Sequence, residues 1–258
     1  MRKNKIRTLL AEGKVVTSGW LHIPSFWSAE VMAHAGFDAV AVDMQHGLMS
    51  IETAIQMMQA ISTSDAVPLA RATSTDPGGI MRLLDGGAYG VICPLINTAD
   101  DCRRFISACR YPPLGIRSFG PTRAKLYGGA DYAEYANEEI MTFAMIETGE
   151  AVDNIDEILS VEGLDAIFIG SGDLKLSLTG KAGHDNHPAE FDEAVTKVLH
   201  RCRHHNIIPG IWCATVADAS RMAAEGFQFI AVKSDNMLLA ESAAQTVKQL
   251  KTNLIQSQ

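Results

Sequence analysis

The sequence predicts an α/β fold, a single (β/α)8 barrel with eight parallel strands over residues 1–258. Three observations predict it. The chain has 258 residues, 47% of them hydrophobic, and a barrel of eight strand–helix units needs about 250. Eight short β-rich runs recur, and most are continuously apolar rather than alternating, as strands covered by helices on both faces are. Helical segments separate them, and strand followed by helix, eight times over, closes into a right-handed parallel barrel.

The elements follow in order. MRKNKIRTLLAEGK reads as a short first helix; it has basic residues but no apolar run behind them, so it is not a secretory signal. The strand runs are KVVTSGW (14–20), AVAVDM (39–44), VPLAR (67–71), GVICPLI (90–96), MTFAMIE (141–147), AIFIGSG (166–172), IIPGIW (207–212) and FIAVKS (229–234). The helical segments are 28–36, 50–62, 76–87, 98–110, 150–163, 188–206 and 215–226. Ser50 suits a helix N-cap, Asp76-Pro77-Gly78-Gly79 a turn into a helix, and Thr98 with two following Asp residues the positive end of a helix dipole. AGFDAVAVD, GGAYGVICP and EGFQFIAVK each stop a helix on Gly and enter a buried strand. Residues 110–140 break the rhythm: a Pro/Gly-rich insert with a short final helix after the fourth strand, the kind of long loop that carries function. His184 and His187 have HxxH spacing but sit in a Gly/Asn/Pro stretch that reads as a loop or helix start.

Several function classes are excluded. A net charge of −8 argues against a nucleic-acid surface, which needs clustered Lys and Arg; Arg201, Arg203, His204 and His205 read as a solvated helix face. No stretch approaches the ~18 apolar residues that span a membrane. Five cysteines with no CxxC fit a reduced, cytoplasmic protein in which each thiol is a small apolar packer.

In a parallel barrel the active site forms at the C-terminal ends of the strands. Trp20, Asp43, Gln45, His46, Arg71, Glu147, Gly172, Asp173, Trp212 and Lys233 all fall there. Glu147 and Asp173 end the fifth and sixth strands, ~4.8 Å apart in a parallel sheet. Two such carboxylates share a proton or hold a cation, and all-oxygen ligation suits Mg2+ or Mn2+; the alternative is that each pairs with an Arg or caps a helix. His46 leaves a buried strand three residues after Asp43, where a proton carrier with a tunable pKa belongs. Asp43 orients His46 or pairs with Arg71, whose guanidinium suits a carboxylate or a developing oxyanion. Asp85 opposes the dipole of its helix end and so needs a partner, either His46 or a neighbouring subunit. Gly170-Ser171-Gly172 looks like a loop that offers amides to an anion.

AGFDAVAVDMQHG, PLARATSTDPGGIMRLLDGGAYGVICPLI, RYPPLGIRSFG, IET, VEGLDAIFIGSGDL and PGIW together resemble the HpcH/HpaI aldolases of the phosphoenolpyruvate/pyruvate barrel superfamily, from about Gly19 to Ala240. The resemblance implies a class II aldolase, a carbon–carbon lyase that cleaves a 4-hydroxy-2-oxo acid to pyruvate, or a close 2-oxo acid, and an aldehyde through a metal-stabilised enolate. It implies Glu147 and Asp173 as ligands of a divalent metal (Mg2+, or Mn2+/Co2+), His46 with Asp85 as a proton-handling dyad, Arg71 at the 2-oxo group, and the amides of Gly172 and Asp173 at the carboxylate. On this reading Trp212 and the 110–140 insert shape the aldehyde pocket, and Trp20, Met145 and Gln45 are further substrate-binding residues. It implies a hexamer, a trimer of dimers, with the C-terminal helix exchanged between subunits. Three positions depart from the family pattern: Gln45 for Glu, Met145 for Gln, and Gly170-Ser171-Gly172-Asp173 for Gly-Pro-Ser/Ala-Asp. They lie beside the ligands and bear on substrate choice. Other readings of the same rim are a Schiff-base aldolase using Lys233 or Lys175, a decarboxylase or other carbon–carbon lyase on oxaloacetate-like acids, and a barrel that binds 2-oxo acids without turnover.

Overall fold

The computed structural model describes residues 1–181 and 188–256; the predicted loop histidines His184 and His187 lie outside the described residues. The chain opens with helix α1 (Lys5–Ala11), then alternates β1 (Val16–Leu21), α2 (Phe26–Ala33), β2 (Ala39–Asp43), α3 (Ile51–Ile61), β3 (Val67–Arg71), α4 (Pro77–Asp85), β4 (Gly90–Cys93) and α5 (Ala99–Cys109). Two helices of the insert follow, α6 (Ala124–Gly128) and α7 (Tyr132–Glu139). The second half holds β5 (Met141–Ile146), α8 (Gly149–Asp153), α9 (Ile155–Leu159), β6 (Ala166–Ile169), α10 (Ser171–Thr179), α11 (Ala189–His205), β7 (Ile208–Cys213), α12 (Val216–Glu225), β8 (Phe229–Val232) and α13 (Asp235–Gln256).

The eight strands pair in parallel in chain order, and β8 closes on β1. Nearly every strand residue is buried, because helices cover the outside and side chains fill the inside; within the barrel Phe229 packs tilted against Phe143 and edge-on to Phe168. The five cysteines are free and buried, and burial pushes the Cys102, Cys109, Cys202 and Cys213 thiols up to about 12. They pack rather than react. The helix starts follow the sequence: Ser50, Asp76 and Thr98 each accept a main-chain N–H of the first turn.

The structure corrects four boundaries. Gly170-Ser171-Gly172 is not a loop but the first turn of α10, which the sequence reading lacked; two Gly and a Ser hide a helix whose stability comes from packing rather than propensity. The segment 150–163 divides at Asn154 into α8 and α9. The 110–140 insert carries two helices, not one. α2 begins at Phe26, where Ser25 accepts from the Ser28 N–H. The basic helix face at Arg201 and His205 pairs with Asp156. Among the described residues, no helix is long and apolar enough to cross a membrane.

Candidate active site

A cavity of about 400 Å3 opens at the C-terminal mouth of the barrel. Seven of the predicted site residues line it: Trp20, His46, Arg71, Met145, Gly172, Asp173 and Trp212. Asp43 and Glu147 are buried beside it.

Asp43 organises one side. The β2–β3 register sets it directly against Arg71. Arg71 Nε donates to Asp43 Oδ1 at 2.8 Å and Nη2 donates to Oδ2, a bidentate pair that fixes the guanidinium plane. Trp20 Nε1 and His22 Nε2 also meet Oδ2, at 3.0 and 2.7 Å, and the main-chain N–H groups of Gln45 and His46 meet Oδ1 at 2.9 and 3.2 Å. Burial opposes ionisation of Asp43, but the bonds from His22 and Arg71, the Arg71 charge and the Trp20 bond outweigh it and hold the carboxyl far below the usual range. Such a group positions others; it does not carry protons. Of the two sequence alternatives, Asp43 therefore takes Arg71, and it meets His46 only through the main chain. The His46 imidazole projects from an exposed turn, with no hydrogen bond among the described residues.

Arg71 keeps its Nη1 side for the cavity, where its neighbour is Met145 Sδ at 3.9 Å, a weak acceptor. Trp20 lies under the guanidinium, 5.2 Å from ring centroid to Cζ, and stacks on Phe168. The buried Gln45 Oε1 has no hydrogen-bond partner among the described residues.

Glu147 organises the other side. Leu95, in the left-handed region at φ 55°, turns its N–H onto Oε1 at 2.8 Å. Oε2 is buried and has no partner among the described residues. Burial pushes the carboxyl up; the Leu95 bond opposes this, and the negative charge of Asp173 adds to it. Gly170 makes the approach possible: a Cβ there would stand 2.6 Å from Glu147 Oε2. Asp173 follows on the first turn of α10, a helix start with no side-chain cap, so main-chain N–H groups and the positive end of the dipole face an anion there. A desolvated carboxylate oxygen without a donor, beside a second carboxylate, fits a hard cation. Among the described residues no cluster of three or more His, Cys, Asp and Glu ligands forms, which leaves the rest of such a cation's shell to water and substrate oxygens.

The remaining predicted residues are elsewhere. Asp85 ends α4, which runs back down the barrel from its start near the rim, and its partner is Arg117 at 2.8 Å, not His46. Burial raises the Asp85 carboxyl against the bond from Arg117. Arg117 comes from the insert and also donates to Tyr132 Oη, a partner that chain spacing did not reveal. Lys233 pairs with Glu241, and Lys175 is buried against Phe191; neither lines the cavity. Ser234, at the end of the eighth predicted strand run, lines it, as do His22, Phe168 and Asn236, which the residue pattern did not single out. The signal for His22 was its place just past β1, the same rule that found the others.

The sequence profile of the HpcH/HpaI aldolase/citrate lyase family matches residues 20–242. The chain belongs to this family. It is thereby a carbon–carbon lyase of aldolase type, acting on small 2-oxo acids. It is similar to hydroxypyruvate/pyruvate aldolase of Rhizorhabdus wittichii, at 41% identity over 95% of this chain and 97% of that protein. It is also similar to 4-hydroxy-2-oxo-heptane-1,7-dioate aldolase of Escherichia coli, at 36% identity over 93% of this chain and 92% of that protein. The crystal structure of a family protein from Burkholderia cenocepacia superposes with a TM-score of 0.90, at 27% identity over 96% of this chain and all of that one.

Proposed function

We propose that the chain cleaves a 4-hydroxy-2-oxo acid to pyruvate, or a close 2-oxo acid, and an aldehyde, and that Glu147 and Asp173 hold a divalent metal, Mg2+, Mn2+ or Co2+. The observation that carries this reading is the buried, unpartnered Glu147 Oε2 beside Asp173. A cation held by these two carboxylates would supply Lewis-acid stabilisation of negative charge on the 2-oxo group. The chain's own groups do the rest. The free first-turn amides of α10, at Gly172 and Asp173, bind the carboxylate. Arg71, locked by Asp43, aims Nη1 at the oxygen where negative charge develops. His46 takes the 4-hydroxyl proton, directly or through water, and returns one to the three-carbon fragment. Trp20 and Trp212 exclude water from the walls. The Schiff-base alternative lacks support, because neither Lys175 nor Lys233 lines the cavity.

The name of the Rhizorhabdus relative supports pyruvate or hydroxypyruvate as the 2-oxo acid. We also infer assembly through α13: its 22 residues bury only Asp235 and expose Leu239, Val247, Leu250, Leu254 and Ile255, an unsatisfied apolar surface that a second copy would cover. Asp85 then reaches a neighbour's His46 only in such an assembly, at the expense of its bond to Arg117. The test of the activity is pyruvate release from 4-hydroxy-2-oxo acids, with and without EDTA. Release that EDTA abolishes and Mg2+ restores supports the reading; EDTA-insensitive release, or a borohydride-trapped lysine adduct, overturns it.

A further inference from the structure

His22 stands just past the end of β1, and every atom that fixes it comes from a different part of the chain. Its main-chain N–H donates to Asp235 Oδ1 at 2.8 Å, the following Ile23 N–H meets both oxygens of the same carboxylate, and Ser28 Oγ donates to Oδ2 at 2.8 Å. The start of α13 therefore clamps the loop that carries His22. The ring is fixed at its other end by Asp43, with Nε2 at 2.7 Å from Oδ2. An ionised carboxylate only accepts, so Nε2 carries the hydrogen, and in the uncharged ring Nδ1 is left with a lone pair that can only accept. Nδ1 has no partner among the described residues, and the ring forms part of the cavity wall.

We propose that His22 is a specificity-determining residue whose Nδ1 accepts a hydrogen bond from a hydroxyl group on the aldehyde half of the substrate. The inference rests on the aldolase reading and names the substrate class of that same site. In a closed eight-stranded barrel β1 stands opposite β5, so His22 faces Glu147 across the mouth. A 2-oxo acid anchored at Glu147, Asp173 and Arg71 sends the rest of its chain toward β1 and β8. His22, Ser234 and Asn236 line that side.

Charge narrows the class. Among the described residues Arg71 is the one Lys or Arg in the cavity wall, and two of its N–H groups are spent on Asp43. The charged and titratable groups around His22 are Asp43 from β2, Asp235 from α13, Arg71 from β3 and His46 from the turn after β2. A carboxylate on the aldehyde would meet two anions and no free cation. An alkyl chain would leave Nδ1 without a partner, which a site built for a hydrogen bond penalises. A hydroxyl donates to it.

The test uses the full chain with Mg2+ and pyruvate in the direction of aldol addition. Three aldehydes serve as probes: glycolaldehyde, propionaldehyde and succinic semialdehyde. The native chain should show a kcat/KM for glycolaldehyde about tenfold above that for propionaldehyde, the worth of one neutral hydrogen bond, and should disfavour succinic semialdehyde. His22→Ala should abolish that preference. His22→Gln, which offers an amide N–H to Asp43 in place of Nε2, should keep the native Tm and still narrow the preference. A purely structural role through Asp43 would lower the glycolaldehyde and propionaldehyde values equally and leave their ratio intact. That result, or a native preference for propionaldehyde or succinic semialdehyde, overturns the proposal. Failure of all three aldehydes to consume pyruvate overturns the aldolase reading itself.

Discussion

Replacing Glu147 by Gln keeps the shape of the side chain and removes its charge, and the structure predicts opposite effects on stability and activity. In the native chain Oε1 already has the Leu95 N–H, while Oε2 is buried with no donor and Asp173 repels it. Burial and the Asp173 charge both disfavour an ionised Glu147, and the Gln amide carries no charge, so the metal-free variant should be at least as stable as the native chain. A gain of 1 kcal/mol would raise Tm by about 2–4 °C in a chain of this size. Metal reverses the order. At a free Mg2+ concentration 100 times its Kd the native chain gains about 2.7 kcal/mol, which corresponds to about 5–10 °C, whereas the variant should gain little. Pyruvate release should fall about 10²–10³-fold, the scale for loss of one group that stabilises developing charge. Differential scanning fluorimetry with and without Mg2+, Mn2+ and Co2+, run beside the pyruvate assay, reads both effects. The reasoning fails if the variant keeps activity within tenfold of native, or if the metals shift both Tm values equally.

Three further outcomes follow from the same geometry. Gly170→Ala places a Cβ 2.6 Å from both Glu147 Oε2 and Met145 Cε; it should cost about 1–3 kcal/mol of stability and weaken the Mg2+-induced Tm shift, whereas an unchanged shift would separate Gly170 from the site. Asp43→Asn leaves the buried Arg71 without its counter-charge and should cost about 3–5 kcal/mol at pH 7. Because the folded carboxyl of Asp43 is held far below its usual range, its contribution is fully present above the unfolded value near 4 and is lost as pH falls toward the folded one. The Tm gap between native and variant should thus be flat from about pH 5 to 8 and narrow only below about pH 4, and narrowing at pH 6–7 would contradict the assignment. His46→Ala removes a ring from an exposed turn, so stability should change by no more than about 0.5 kcal/mol, while kcat falls about 10²–10⁴-fold, as for loss of a general acid–base group; a kcat within tenfold of native would remove His46 from proton transfer.

Much of this was legible in the residue order, for a physical reason. A strand buried on both faces must be continuously apolar, so the first ionisable residue after each run marks the rim, and Asp43, Arg71 and Glu147 all stand there as expected. The Asp43–Arg71 pair followed from adjacent parallel strands. The start of α10 was hidden because Gly170, Ser171 and Gly172 read as a turn; the helix forms there because Leu174 packs into the core and the tight approach to Glu147 requires a glycine. The partner of Asp85 was hidden because Arg117 reaches it across a 32-residue loop closure, which no local pattern encodes. His22 was hidden because a run read as ending at Trp20 places it outside the rim by two residues, although it makes one of the closest contacts to Asp43.

The central claim is that Glu147 and Asp173 hold the metal that the reaction uses. A crystal structure of the chain with Mg2+ and oxalate, a non-cleavable stand-in for the 2-oxo acid, tests it most directly. The expected result is one Mg2+ ligated by Glu147 Oε2 and an Asp173 oxygen at about 2.0–2.1 Å, its shell completed by oxalate and water, with the oxalate within reach of Arg71 Nη1. Oxalate bound with no metal between the carboxylates, or Mg2+ held by other residues, would contradict it.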